Sequence, residues 1–164
     1  MAHLAPVDVE ITFYAGLGQL PHFNPDLDTD PPPEQVRALR QEIANSDGLI
    51  ICSPEYAHGI AGSMKNALDW LVSSVEFPEK PVALINTSQR AVHAEDQMRE
   101  ILKTMSARMI DEASITLPLL GRGLDASGIA ADPVLSAQLQ SALNYFVDEI
   151  RKLIAVHNPE MHRQ

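Results

Sequence analysis

Gly48-Leu49-Ile50-Ile51-Cys52 is the stretch on which the fold turns. It is short, continuously apolar and free of charge, the pattern of a parallel strand covered on both faces. Ser53-Pro54-Glu55-Tyr56-Ala57-His58-Gly59-Ile60-Ala61-Gly62 follows it, a strand-to-helix loop punctuated by Pro and Gly. A helix is then predicted from Ser63 to about Ser74, with Met64, Ala67, Leu68, Leu71 and Val72 on one face at 3.6-residue spacing.

The same unit repeats on either side. Downstream, Pro81 to Asn86 (PVALIN) is a second buried strand, and Thr87-Ser88-Gln89-Arg90 leads into a helix from about Ala91 to Arg108. Ala94, Met98, Ile101, Leu102 and Met105 point inward there, and Glu95 and Arg99 can pair at i,i+4. Met109 to Leu117 is more mixed in polarity, as an edge strand should be. A glycine-spaced loop from Gly121 to Gly128 precedes a last helix, capped by Asp132-Pro133 and running to about Val156. Upstream, Val7 to Tyr14 alternates and is rich in β-branched and aromatic residues, so it is expected to be a strand. Pro31-Pro32-Pro33 opens a helix to about Asn45 with Val36, Leu39 and Ile43 buried. Strict alternation of strand and helix implies an α/β domain, an open parallel sheet with helices on both faces.

Composition narrows the function. The 164 residues suit one domain with a real core. Twelve basic against 22 acidic residues give a net charge of −10, which repels nucleic acid and anionic lipid. No apolar run reaches the roughly 20 residues of a membrane helix, and no signal peptide is visible at the start. Cys52 is the single cysteine, so no internal disulfide forms, in keeping with a reducing, cytoplasmic setting.

Ser53 to Leu71, SPEYAHGIAGSMKNALDWL, resembles the signature of the NAD(P)H-dependent FMN reductase family, whose members include chromate, quinone and azo-dye reductases. The likeness is collinear but weaker elsewhere, through Gly16-Leu17-Gly18, the Pro21-His22-Phe23-Asn24-Pro25 stretch and the Asn86-Thr87-Ser88 loop. It implies a flavodoxin-like fold with FMN and NAD(P)H as cofactors. Electrons would pass to a small-molecule acceptor: a quinone, an azo compound, a metal oxyanion or free flavin. It also implies a homodimer or homotetramer. In that family the Pro-Glu-Tyr turn lies against the edge of the isoalloxazine ring, which makes Pro54, Glu55, Tyr56, Ala57 and His58 the first candidate cofactor contacts. Ser88 and Arg90 occupy the place of the second flavin loop, although the glycine-rich run usual there is replaced by Ser88-Gln89-Arg90-Ala91-Val92. A helix N-terminus with Ser and Arg suits an electron-rich ring edge. The competing reading is an N-cap serine and a solvated arginine.

One part of the family pattern is missing. The flavodoxin-like strand order is 2-1-3-4-5 with FMN at the switch between strands 1 and 3. The Gly-Ser-x-Arg phosphate loop that follows strand 1 has no counterpart here, and Val7 to Tyr14 corresponds to strand 2. The resemblance therefore implies an N-terminally truncated domain lacking about 22 residues, from mean element lengths. That leaves one alternative function, a non-catalytic flavodoxin-like dimerisation module that does not hold FMN.

The remaining candidates have plainer explanations. Cys52 is expected to be a small core residue and not a nucleophile. His93-Ala94-Glu95-Asp96 is expected to be solvated helix charge, with no metal bound. Glu10, Asp111 and Glu112 are expected on solvent faces. Trp70 lies off the Met64/Leu68 stripe and is expected at a subunit interface.

Overall fold

The computed structural model describes residues 4–157. Its centre is β4, Pro81–Asn86, in which Val82, Ala83, Leu84 and Ile85 are all buried. Alternation along this strand sends Val82 and Leu84 into one cluster and Ala83 and Ile85 into others. The first cluster is filled by α1 (Glu34–Asn45), α2 (Gly62–Leu71) and α3 (Val92–Thr104). Across the sheet, α5 (Pro133–His157) supplies Leu135, Leu139 and Phe146. A parallel sheet with helices on both faces is the architecture the alternation implied.

On one side β4 pairs in parallel with β1, Leu49–Ile51, in the register Leu49↔Val82 to Ile51↔Leu84. On the other it pairs with β5 (Arg108–Met109) and β6 (Ile115–Thr116). The single edge strand expected over Met109 to Leu117 is thus two short strands, separated by a 3-10 turn at Asp111–Ala113. The turn removes ladder partners opposite Leu84, and Ser114 replaces them: its hydroxyl accepts the Leu84 N–H at 3.0 Å and donates to the Ile110 carbonyl at 3.0 Å. A polar side chain mends the break, because a buried N–H without an acceptor is costly.

Val7 to Tyr14 does not form a strand. Alternation marks a surface able to pair, but a strand also needs a neighbour, and no β1 ladder reaches it. Between this segment and β1 lies a cavity of about 680 Å³. All three β1 residues are only half-buried as a result, where cover on both faces was expected. A Cβ on Gly48, just before β1, would come within 2.6 Å of Ile150 Cδ1 and 2.9 Å of Phe146 Cζ, so a larger residue there would make these α5 side chains shift.

Trp70 also departs from expectation. It is fully buried within its own chain and therefore unavailable to a subunit interface. Its indole N–H donates to the Pro21 carbonyl at 2.8 Å, and its ring meets Phe23 edge-on at 5.0 Å. One helical turn earlier, Asn66 donates to the same carbonyl at 3.0 Å and accepts the Phe23 N–H at 2.7 Å. The second face of α2 is thus used to hold the 16–27 loop, and i,i+4 spacing is what lets Asn66 and Trp70 act together. Two smaller differences are a short helix, α4 (Ala126–Ala131), arising within and beyond the predicted Gly121 to Gly128 loop, and Cys52, which is exposed and not in the core. Asp132 caps α5 as expected, accepting the N–H groups of Val134 and Leu135 at 3.0 and 3.1 Å.

Candidate functional site

Two loops leave the carboxyl ends of adjacent strands β1 and β4, the edge where open α/β sheets bind ligands. The first folds back on itself as a hairpin, β2 (Glu55–Tyr56) against β3 (Gly59–Ile60). Its two-residue turn places Ala57 at φ 49° and His58 at φ 59°. Consecutive positive φ values are those of a type I′ turn, which sequences normally build from Asn and Gly. Two side chains bearing a Cβ in that region store roughly 1–2 kcal/mol each, so the hairpin must be held from outside.

The holding groups come from α3 and from Glu55 itself. α3 starts without a side-chain cap from its own Ala91. Its third N–H, that of Ala94, instead donates to Glu55 Oε2 at 2.9 Å across 39 residues of sequence. This satisfies one of the orphan donors of a helix start and sets a negative charge at the positive end of the helix. The bond from the Ala94 N–H, helped by the nearby His93 and His58 rings, holds the Glu55 carboxyl below its usual range. Nδ1 of His58 lies 3.4 Å from Glu55 Oε1, and the His58 and His93 rings meet edge-on at 4.6 Å. Gln97, one turn further along α3, completes the clamp by donating to the His58 carbonyl at 3.1 Å and accepting the Ile60 N–H at 3.4 Å.

The second loop is braced by Asn86. Its Oδ1 accepts the Ser88 N–H at 2.9 Å, and its amide donates to Glu95 Oε2 at 2.9 Å. Glu95 in turn pairs with Arg99 at 3.2 Å, the i,i+4 contact predicted. Ser88 does not cap α3; its hydroxyl accepts the Arg90 N–H at 3.2 Å in a tight turn before the helix. Arg90 is exposed, and among the described residues its guanidinium takes part in no ion pair.

Of the predicted contacts, Pro54 to His58 therefore form the hairpin arm, and Ser88 and Arg90 lie on the loop that opens α3, the helix gripping that arm. Tyr56 is 67% exposed at the tip, with its ring free to face a ligand. The Glu55 side chain is turned inward, so only its backbone is available to a cofactor. The opening turn of α2 has no side-chain cap, and a Cβ on Gly62 would meet nothing within 4 Å. An exposed aromatic ring, a half-buried hydroxyl, an exposed guanidinium and open helix N–H groups suit a flat ring with a carbonyl edge.

Asn86 and Gln97 were not among the predicted residues. Asn86 had a local signal, since Asn at a strand end before Ser favours an Asx turn. Gln97 had none, because its partners lie 37 and 39 residues away.

The comparisons with known proteins agree with this geometry. A family model described as NADPH-dependent FMN reductase matches residues 1–119. A 2-hydroxy-1,4-benzoquinone reductase of Burkholderia sp is 32% identical over 155 residues, covering 91% of this chain and 81% of that protein. A subunit of an NADH-dependent flavin reductase from Lactobacillus johnsonii is 30% identical, covering 84% of this chain and 79% of its own length. Among solved structures, the flavoenzyme NAD(P)H:(acceptor) oxidoreductase FerB from Paracoccus denitrificans superposes with a TM-score of 0.71 at 31% identity, over 83% of this chain and 78% of that one. With its sheet, its two carboxyl-edge loops and these relatives in agreement, the chain belongs to the NADPH-dependent FMN reductase family.

Proposed function

We propose that the chain binds FMN between the Pro54 to His58 hairpin and the Ser88 to Arg90 loop and reduces a small organic acceptor, a quinone being favoured. Bound FMN would supply the hydride and electron chemistry between NAD(P)H and the acceptor, so the residues here would hold and orient the ring and no acid–base pair of the protein would be required. The hairpin backbone supplies the polar edge for the ring, Tyr56 an aromatic face, and Ser88 a hydroxyl. Arg90 would offer a cation to a reduced, negatively charged ring. One observation carries this reading: the Glu55 carboxylate on the Ala94 N–H, which locks the strained hairpin to the helix that the second loop opens. Such a clamp prearranges a binding edge before any ligand arrives. The dimerisation-module reading provides no reason for that arrangement.

The test is direct. Purified protein titrated with FMN should quench flavin fluorescence saturably and then support NAD(P)H oxidation that depends on added benzoquinone. Saturable binding with no NAD(P)H oxidation would leave a flavin carrier and end the reductase reading. Absence of both would return the chain to the module class.

The same reading includes a homodimer or homotetramer and a cytoplasmic location. Val72 and Val75, just past α2, are 68% and 86% exposed and supply an apolar surface that Trp70 does not. No helix among the described residues is long and apolar enough to cross a membrane. Light scattering at micromolar concentration should report a multiple of 18.0 kDa.

A further inference from the structure

The carboxyl edge of the sheet carries a third loop that the flavin position above does not use. β6 runs parallel to β4 with Thr116 opposite Asn86, so the chain leaving β6 emerges beside the Ser88 to Arg90 loop. Two backbone bonds keep it there. The Leu117 N–H donates to the Asn86 carbonyl at 2.7 Å, and the Leu119 N–H to the Thr87 carbonyl at 3.3 Å. Across the edge the order is therefore hairpin, Ser88 loop, third loop, following β1, β4 and β6. Neighbouring strands lie about 4.8 Å apart, so the two outer loops start about 10 Å from each other.

The leucines of this third loop divide into two kinds. Leu117 is buried, and Leu119 and Leu124 pack on the cluster it forms with Leu135 and Leu139. Leu120 is 61% exposed. That exposure is built into the backbone. The Arg122 N–H donates to the Leu119 carbonyl at 3.1 Å, and Gly121 between them has φ 77°. This is a type II turn, with Leu120 at its first corner and glycine at the position that needs a positive φ. Beyond the turn, the Arg122 guanidinium bonds Asp132 Oδ2 at 2.7 Å, and Asp132 caps α5. Anchors on both sides thus hold a large apolar side chain in water, at a corner that most residue types could occupy.

From this placement we infer that Leu120 is a specificity-determining residue, the apolar contact for an alkyl group or fused ring on the quinone acceptor. The inference rests on the reading of the site given above. There the flavin ring fills the interval between the hairpin and the Ser88 loop. An acceptor that stacks on that ring and extends past the Ser88 loop meets Leu120. Tyr56 stands on the hairpin side and an aliphatic side chain on the other, and the width between the loops exceeds a single six-membered ring. The acceptor selected is a quinone with apolar carbon along one edge. Small, charged acceptors gain nothing from the contact.

Leu120→Ser and Leu120→Met test this, since each changes one exposed side chain and leaves the turn glycine and its anchors in place. Steady-state rates are compared for two acceptors. One is 2,3-dimethyl-1,4-naphthoquinone, whose blocked ring carbons do not add the exposed Cys52 thiol; the other is ferricyanide, which has no apolar surface. Leu120→Ser should lower kcat/KM for the naphthoquinone about tenfold, mostly through KM, and leave ferricyanide reduction and FMN affinity unchanged. Leu120→Met should keep the wild-type ratio between the two acceptors. A second readout needs no turnover. In protein labelled at its leucine methyls, with FMN added, the naphthoquinone should shift the Leu120 resonances saturably and leave those of Leu117 in place. The Leu120 signals are identified by their absence from Leu120→Ser. Equal losses with both acceptors, or no loss with either, would overturn the proposal, as would Leu120 methyls unmoved at saturating naphthoquinone. A wild type that reduces neither acceptor would instead end the reductase reading, and the methyl shift alone would then decide whether the loop holds the ring.

Discussion

The two sides of β4 meet the same physical demand and answer it differently. Toward β5 and β6 the partner strand breaks into a 3-10 turn, yet the Ser114 hydroxyl fills the gap and the layer below is closed by Leu117, Leu135 and Leu139. Toward β1 the sheet stops after one short strand and opens onto a cavity of about 680 Å³. A lost ladder bond is tolerable where one side chain can replace it. An absent neighbour is not replaceable in that way, because a whole row of donors and acceptors is left facing a void.

The sharpest test of this contrast uses the same substitution on each side. Leu117→Ala removes a side chain 2% exposed in the closed layer and should cost about 3 kcal/mol in urea unfolding. Leu49→Ala, on β1 beside the existing cavity, removes contacts that are already incomplete and should cost only about 1 kcal/mol. Equal losses would mean that the β1 side is packed as tightly as the other, and the comparison would fail.

Ser114→Ala comes next. It strands the Leu84 N–H in a residue 6% exposed, and a buried donor without a partner costs about 1–3 kcal/mol. Ser114→Thr keeps the hydroxyl and should restore most of the loss. A harmless alanine would show that the mend is incidental.

The third test moves to the hairpin. Ala57→Asn with His58→Gly gives the turn the residues its positive φ values favour and should raise stability by roughly 1–2 kcal/mol. A lower melting temperature would indicate that the His58 contacts with Glu55 and His93 outweigh the backbone strain. If the stabilised protein binds FMN more weakly, the strain belongs to the site.

What was legible in the sequence follows from how local each signal is. The β1 and β4 strands, the helices and the Asp132 cap depend on neighbours within a few residues, and these were readable. Val7 to Tyr14 has the alternation of a strand, but pairing is a non-local property, and no strand among the described residues pairs with it. Trp70 could have been placed in the core had its i,i+4 relation to Asn66 been read as a clamp on the loop that carries Pro21 and Phe23. The loop that holds Pro54 to His58 was readable from its Pro, Gly and family likeness. That Glu55 turns inward to cap a helix 39 residues later has no sequence period to reveal it.

Glu55 supports the smallest expected effect and the most specific one. Its carboxylate accepts the Ala94 N–H, and His58 and His93 are the titratable side chains facing it. Because these contacts favour the ionised form, the folded carboxyl sits below the ordinary value of 4.5. The clamp's contribution is therefore complete above that ordinary value and disappears as pH falls through the lowered folded one. Glu55→Gln keeps the shape but removes the charge, so wild type should melt higher than the variant near pH 7. The gap between the two should shrink as pH drops below about 4.5, the unshifted carboxylate value. Riboflavin is the better ligand for the matching binding measurement, as it lacks a phosphate that titrates in the same interval. Its affinity should be weaker for Glu55→Gln at pH 7 and should converge with wild type in acid. A melting gap independent of pH would show that Glu55 holds the hairpin by packing alone, and the charge-on-helix account of the clamp would be wrong.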